Sequence, residues 1–66
     1  MTKEEFCARF VAHMTEKAGF THFDDGESVA EYAAMIAPSY WEEPYQREEG
    51  PEACAEVDMD YWGEEG

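Results

Sequence analysis

The sequence of 66 residues predicts an all-α protein, a compact bundle of three short helices with an aromatic-rich connecting segment. Two observations support this fold class. Apolar residues recur at spacings of three and four along three segments of the chain, which is the period of an amphipathic helix. Capping residues, glycines and prolines separate these segments where helices begin and end. Since a chain of this length builds only one small core, we expect a single acidic helical domain over residues 1–66.

The first helix is predicted over about residues 3–18. Thr2 and Glu5 have the spacing of a capping box, in which a hydroxyl and a carboxylate satisfy free amides at the helix start. Gly19 is suited to end the helix, because glycine adopts the left-handed conformation without strain. The predicted buried face consists of Phe6, Cys7, Phe10, Val11, Met14 and Ala18.

The second helix opens after the loop FDDGES with a second capping pattern, Ser28 followed by Glu31. We expect it to end near Ala37, because the residue before a proline is pushed out of the helical region and Pro38 follows. Its predicted apolar stripe consists of Val29, Tyr32, Ala33 and Ile36.

The connecting segment PSYWEEPYQREEG is predicted as a turn of helix followed by an aromatic-rich loop. Pro38 is compatible with a first helical position, whereas Pro44 would interrupt a longer helix. Two arrangements stay open for Tyr40, Trp41 and Tyr45. The rings either fold back over the two helices as part of the core or stand exposed as the anchors of a contact.

The third helix is predicted over about residues 51–62, with Gly50 and Pro51 at its start and Gly63 at its end. Its apolar side is expected to consist of Cys54, Val57 and Tyr61.

An acidic row lies on the opposite side of this helix, where Glu52, Glu56 and Asp60 follow one another at four-residue spacing. Like charges at this spacing repel one another. The segment from residue 48 to residue 66 holds no lysine, arginine or histidine, so we expect no local compensation. The predicted partner-binding patch is the row together with its flanking acids Glu48, Glu49, Asp58, Glu64 and Glu65.

The charge of the whole chain points to a basic partner. Seventeen Asp and Glu residues against four Lys and Arg residues give a net charge of −13. Residues 34–66 hold ten acids and only Arg47 as a base. Such a field repels nucleic acid and anionic membranes and attracts basic protein surfaces. Because solubility requires a much smaller charge, the excess favours an acidic face that imitates a phosphate backbone.

Metal and cofactor sites are not predicted. The stretch DMDYWG resembles the first half of a calcium-binding loop, but Trp62 occupies a position that needs an oxygen ligand and the chain ends too early. The two histidines and the two cysteines, Cys7 and Cys54, lack the spacing of a zinc site. We expect both thiols to be unpaired core residues, although a pairing between them stays open.

Catalysis and membrane insertion are also not expected. No nucleophile and base stand in a recognisable arrangement, and a chain this short offers little room for a water-excluding pocket. The sequence contains no signal peptide and no apolar stretch long enough to span a bilayer. We therefore expect a cytoplasmic, monomeric protein that is not an enzyme.

The chain resembles the small anti-CRISPR proteins of phages and prophages whose acidic surface imitates DNA. The resemblance lies in its size, its charge and the stretch THFDDGESVAEYAAMIAPSYWEEPYQREEGPEACAEVDMDYWGEE. It implies an inhibitor that acts in a bacterial host cell on a type I surveillance complex. Such an inhibitor would occupy the basic channel where the complex recognises its target DNA.

A second hypothesis is a protein-interaction adaptor or antitoxin-like module. In that case Tyr40, Trp41 and Tyr45 would supply the binding energy, and the charge would serve solubility and the association rate. A third hypothesis is that the acidic surface only keeps the protein in solution and binds no partner.

Overall fold

The computed structural model describes residues 1–62, and these residues form four helices. The helices are α1 (Lys3–Ala18), α2 (Val29–Glu42), α3 (Pro44–Glu49) and α4 (Pro51–Asp60). Over residues 1–62 the β-type pairing is limited to one isolated bridge between His22 and Ser28. The all-α prediction is therefore confirmed, although four helices are found where three were expected.

Helix α1 has the predicted bounds, and the Thr2 half of the predicted capping box is formed, whereas the Glu5 carboxylate lies 3.7 Å from Arg9. The Thr2 hydroxyl accepts a hydrogen bond from the Glu5 amide at 3.1 Å. Gly19 follows the helix in the left-handed conformation, with a φ of 81°. The fully buried side chains of this helix are Phe6, Phe10 and Met14.

The loop between α1 and α2 is held by its own hydrogen bonds. The Phe23 amide donates to the Glu27 carbonyl at 2.8 Å, and the Gly26 amide donates to the Phe23 carbonyl at 2.8 Å. The Asp25 carboxylate accepts a hydrogen bond from the Glu27 amide at 3.0 Å. Gly26 has a φ of 93°, a value that other residues adopt only with strain. This loop therefore places Phe23 in a defined position at one end of the bundle.

Helix α2 begins as predicted but ends five residues later than expected. The Ser28 hydroxyl accepts a hydrogen bond from the Glu31 amide at 3.3 Å. The helix then continues through Pro38 to Glu42, so the predicted end near Ala37 is wrong.

Packing of the last turn explains why α2 passes through its proline. A proline inside a helix removes one hydrogen bond and costs about 3 kcal/mol. The turn after Pro38 carries Tyr40 and Trp41, whose rings lie 5.3 Å from the Phe10 ring and 5.5 Å from the Phe6 ring. Burial of two large aromatic side chains against α1 offsets the cost of the proline.

The predicted aromatic-rich loop is largely helical. Glu43 is extended, and Pro44 starts α3, where its fixed φ suits the first helical position. Helix α3 is six residues long and ends at Glu49. Gly50 follows with a φ of 105° and turns the chain into α4. The connection between α2 and α4 is thus a short helix, not an irregular segment.

Helix α4 starts at Pro51 as predicted, but a different side of it is buried. Cys54 is buried as expected. Val57 is 44% exposed and Tyr61 is 70% exposed, so their assignment to the core is wrong. The inward side is formed by Pro51, Cys54, Ala55, Asp58 and Met59. The helix ends at Asp60, two residues earlier than predicted.

Helix α1 lies at the centre of the fold and packs against both α2 and α4. Phe6 meets Trp41 and Phe10 meets Tyr40, an order that makes α1 and α2 antiparallel. The facing helices contribute buried alanines to the same core, Ala33 and Ala37 from α2 and Ala55 from α4. The buried core consists of Phe6, Phe10, Met14, Val29, Ala33, Ala37, Cys54 and Ala55.

Both cysteines are free thiols, as expected. The Cys54 thiol donates a hydrogen bond to the Gln46 carbonyl at 3.0 Å and thereby connects α4 to α3. Burial raises the pKa of the Cys54 thiol, and the nearby Glu49 carboxylate raises it further. The thiol is therefore poorly suited to act as a nucleophile.

Candidate protein-interaction surface

The predicted acidic row of α4 faces a basic residue and a histidine on α1. Two nitrogens of the Arg9 guanidinium donate to the Glu52 carboxylate, at 3.0 and 3.3 Å. One turn further along both helices, His13 Nε2 lies 2.9 Å from the Glu56 carboxylate. The expectation that the row has no local compensation is therefore wrong for Glu52 and Glu56.

The third member of the row is less directly compensated. Lys17 and Asp60 line one shallow cleft of about 280 Å³, together with Glu56 and Met59. Within residues 1–62 Asp60 forms no salt bridge. Of the three carboxylates in the row, Asp60 is thus the one that stays available to a partner.

The pKa of Glu52 reflects its ion pair. Desolvation acts to raise the pKa of this carboxyl group, but hydrogen bonds from its own backbone amide and from Arg9 outweigh that effect. Together these effects lower the pKa of the Glu52 carboxyl group. This direction is opposite to the rise that mutual repulsion along an uncompensated row would cause.

Asp58 is directed into the bundle, although the sequence placed it in the exposed patch. Its carboxylate accepts hydrogen bonds from the Tyr32 hydroxyl at 2.8 Å, the Tyr40 hydroxyl at 3.0 Å and the Trp62 indole at 3.2 Å. The prediction that Asp58 belongs to the exposed acidic patch is therefore wrong. Because these donors occupy both carboxylate oxygens, Asp58 connects α4 to α2 and is not arranged to face a partner.

Tyr40 and Trp41 pack against the core, which is the first of the two arrangements left open by the sequence. Tyr40 packs on Phe10 and donates its hydroxyl to Asp58. Trp41 packs edge-on against Phe6, and the Arg47 guanidinium lies 4.8 Å from the centre of its ring. Both tryptophan and tyrosine are partly buried and are not free to anchor a contact.

Tyr45 stands exposed, as in the second of the two arrangements, with 83% of its surface accessible to solvent. It shares one face of α3 with Glu48 and Glu49, which lie three and four residues further along the helix. We name these residues, with the two exposed acids that precede the helix, the α3 acidic surface. Its members are Glu42, Glu43, Tyr45, Glu48 and Glu49.

The α3 acidic surface keeps its negative charge. None of its four carboxylates forms a salt bridge within residues 1–62. The nearest base in the sequence, Arg47, stacks on Trp41. Among the predicted site residues, Glu48 and Glu49 therefore lie beside the exposed tyrosine, whereas Glu64 and Glu65 lie outside the described residues.

Sequence reasoning missed a second exposed feature at the opposite end of α2. Four aromatic rings there form a cluster with centre-to-centre distances of 5.1 to 5.9 Å. The signal in the sequence was FTHFDD, where two phenylalanines flank two polar residues just before two aspartates. The members of the cluster are Phe20, Phe23, Tyr32 and Trp62.

Over residues 1–62 no three His, Cys, Asp or Glu side chains are grouped to hold a metal ion. None of the helices in this range has the length and apolar character needed to cross a membrane.

Comparisons of the chain with family models, with curated proteins and with solved structures find no match.

Proposed function

We propose that the protein binds a basic surface of a nucleic-acid-binding protein and thereby keeps nucleic acid away from it. One observation carries this proposal, namely that the large negative charge is hardly neutralised within the fold. The chain has seventeen acids and four Lys and Arg residues, and within residues 1–62 Arg9 is the only one of these four bases that forms a salt bridge. An excess of this size steers association with basic surfaces and repels nucleic acid itself.

The α3 acidic surface is the region of the molecule best suited to make this contact. Its four carboxylates are exposed and without ion pairs in the described range of the chain, and Tyr45 stands among them. Carboxylates supply charge-assisted hydrogen bonds to Lys and Arg, and an exposed tyrosine supplies apolar contact area at low entropic cost. Asp60, which forms no salt bridge within residues 1–62, is a separate exposed acid of the predicted patch, and Glu64 and Glu65 belong to that patch as a prediction only.

A type I CRISPR surveillance complex is the target class that the resemblance to small anti-CRISPR proteins suggests. Such complexes hold target DNA in a channel lined with positive charge, which an acidic protein can occupy in place of DNA. We propose that the protein acts there as a monomer, in the cytoplasm of a bacterial host cell, without a cofactor and without enzymatic activity.

The test is competition with DNA. A purified type I surveillance complex is incubated with the protein, and its binding to a fluorescent target duplex is followed by anisotropy at several salt concentrations. We expect the protein to abolish duplex binding. The inhibition constant should increase steeply with the salt concentration, because salt screens the contacts between charges. Complexes of several subtypes are compared, and unchanged duplex binding in all of them would exclude this target class.

Two double variants locate the contact. E48Q/E49Q removes two charges from the α3 acidic surface, and E4Q/E16Q removes the same number from exposed positions of α1. We expect the first variant to weaken inhibition at least tenfold, because each lost charge-assisted contact contributes about 1.5 kcal/mol or more. Equal losses in both variants would mean that only net charge matters.

A second candidate function is an interaction adaptor anchored by Tyr45, which the 83% exposure of this ring favours. Tyr45→Ala is compared with Tyr61→Ala, a change of the same size at another exposed tyrosine. If Tyr45→Ala alone abolishes binding and the affinity for the partner hardly depends on salt, the adaptor explains the surface better than competition with DNA does.

A further inference from the structure

The aromatic cluster at the start of α2 encloses an open cleft of about 460 Å³. Phe20, Phe23 and Trp62 line the cleft, and Asp24 and His22 lie along it. A neighbouring cleft of about 510 Å³ shares Phe23, Asp24 and Trp62 with the first. The volumes fall within the range of about 300–1,000 Å³ that small-ligand sites occupy.

Carboxylates surround the aromatic walls. Asp24 lines both clefts, and Asp25 and Glu27 line the second. None of these three carboxylates forms a salt bridge within residues 1–62. The Asp25 carboxylate is held in place by the Glu27 amide, so the loop presents its acids from a defined backbone.

Trp62 is held in the cleft by contacts on two sides. Its indole donates to Asp58 at 3.2 Å, and its ring packs at 5.1 Å from the Phe23 ring and at 5.9 Å from the Phe20 ring. Phe20 is nevertheless 43% exposed. The cleft therefore combines fixed rings with an aromatic surface that is open to solvent.

We propose that this cleft binds the guanidinium group of an arginine side chain. The inference rests on the proposed function, in that the arginine belongs to the basic partner. Aromatic faces attract a cation within about 6 Å of the ring centre, and the neighbouring carboxylates accept hydrogen bonds from the guanidinium edge. Arginine fits better than lysine, because a guanidinium is planar, stacks on rings and is less strongly hydrated than an ammonium group.

The first experiment uses a small probe and the intact protein. Nα-acetyl-arginine-N-methylamide is titrated into isotope-labelled protein, and the assigned amide and indole NMR signals are followed. We expect saturable shifts at Trp62, Phe23 and Asp24. The citrulline analogue, which has the same shape without the charge, should bind at least tenfold more weakly, and the lysine analogue about threefold more weakly.

Two variants and two matched controls identify the site. Phe20→Leu removes one ring, and Asp24→Asn removes one charge, both at exposed positions. Each should weaken arginine binding about threefold, in keeping with an exposed cation–π or ion-pair contact. The controls Met35→Leu and Glu16→Gln change an exposed apolar residue and an exposed acid outside the cleft, and should leave binding unchanged.

Three results would overturn the proposal. One is the absence of shifts at the cleft, and another is equal binding of the citrulline analogue. The third is a set of shifts that depends on protein concentration alone, which would mean that a second copy of the chain occupies the cleft.

Failure of the arginine site can be distinguished from failure of the proposed function. If the probe binds but no surveillance complex is inhibited, the arginine site stands and the proposed function fails. If inhibition occurs and the probe causes no shifts at the cleft, the proposed function stands and the arginine site fails.

Discussion

Arg9 and Glu52 form a two-point ion pair between α1 and α4, although 43 residues separate them in the chain. The same separation relates His13 to Glu56. The two helices therefore run in the same direction, with their charged rows side by side. Two of the three carboxylates that the sequence predicted to repel one another are thus engaged in an interhelical contact.

Loss of this pair should destabilise the fold. Glu52→Gln is expected to lower the free energy of unfolding by about 0.2–1 kcal/mol, the range of exposed ion pairs. The matched change Glu16→Gln, on an exposed acid without a salt bridge in the described residues, should have a smaller effect. Urea unfolding measures both. A more stable Glu52→Gln variant would show that repulsion along the row dominates.

A double-mutant cycle isolates the contact itself. Arg9→Gln, Glu52→Gln and the double variant are compared at low and at moderate salt. We expect a positive coupling energy that decreases as salt screens the pair. A coupling energy of zero at low salt would mean that the side chains do not interact in solution.

Removal of the Asp58 carboxylate should be the most damaging single change on α4. Asp58→Ala deprives two tyrosine hydroxyls and one indole of their acceptor. Each unsatisfied, partly buried donor costs about 1–3 kcal/mol, less where water reaches it. Because a chain of 66 residues is only marginally stable, we expect Asp58→Ala to lower the melting temperature strongly or to prevent folding.

Asp60→Ala, at an exposed position two residues further along, serves as the control for Asp58→Ala and should leave the melting temperature nearly unchanged. Circular dichroism follows both variants. Equal melting temperatures of the Asp58→Ala variant and the unaltered protein would contradict the role of Asp58.

High pH should unfold the protein through two tyrosines. Burial, the hydrogen bond to Asp58 and the charge of Asp58 raise the pKa of Tyr32 and, more strongly, that of Tyr40. The native state then holds protons that the unfolded state releases above about pH 10. Stability that is fully present below that pH is therefore lost as the pH rises through the folded pKa values.

Thermal melts between pH 8 and pH 11.5 measure this loss. Tyr40→Phe removes the titrating hydroxyl, so its stability should fall less steeply with pH even though the variant is less stable at pH 8. An equally steep decline in Tyr40→Phe would assign the alkaline transition to other groups.

Replacement of the proline inside α2 should stabilise the protein. Pro38→Ala restores an amide that can donate within the helix and removes the clash of the ring with the preceding turn. The gain of up to about 3 kcal/mol is reduced by about 0.4–1 kcal/mol, because the unfolded chain becomes more flexible. Ser39→Ala, the exposed neighbour, should change the unfolding free energy by only a few tenths of a kcal/mol. A destabilised Pro38→Ala variant would show that the partly buried proline ring packs well enough to outweigh its cost.

The sequence predicted the bounds and the buried face of α1 correctly, because Thr2, Gly19 and the apolar spacing indicate the same helix. It failed at the end of α2, since a local proline rule cannot anticipate the packing of Tyr40 and Trp41 on the first helix. The buried side of α4 was misjudged because its core residues are small, so Val57 and Tyr61 determined the apparent apolar face. Small side chains give a weak pattern even where they pack closely.

The candidate site was predicted incompletely. The alternative in which all three aromatic residues stand exposed holds only for Tyr45, because Tyr40 and Trp41 are partly buried. Glu48 and Glu49 are exposed, as predicted for the acidic patch. The pairing of the acidic row was missed, although Arg9, His13 and Lys17 have the same four-residue spacing as the row. Sequence spacing reveals that two rows match, but only the fold determines that they meet.

The matched spacing of the two charged rows has a consequence for how α4 finds its position. A slide of α4 by one turn, about 6 Å along α1, would bring Glu56 opposite Arg9 and Asp60 opposite His13. The charges alone would therefore tolerate a shifted alignment of the two helices. Asp58 removes this ambiguity, because its carboxylate meets the hydroxyls of Tyr32 and Tyr40 in one alignment only. The contacts between the two rows hold α4 against α1, and the Asp58 carboxylate determines the alignment of the two helices.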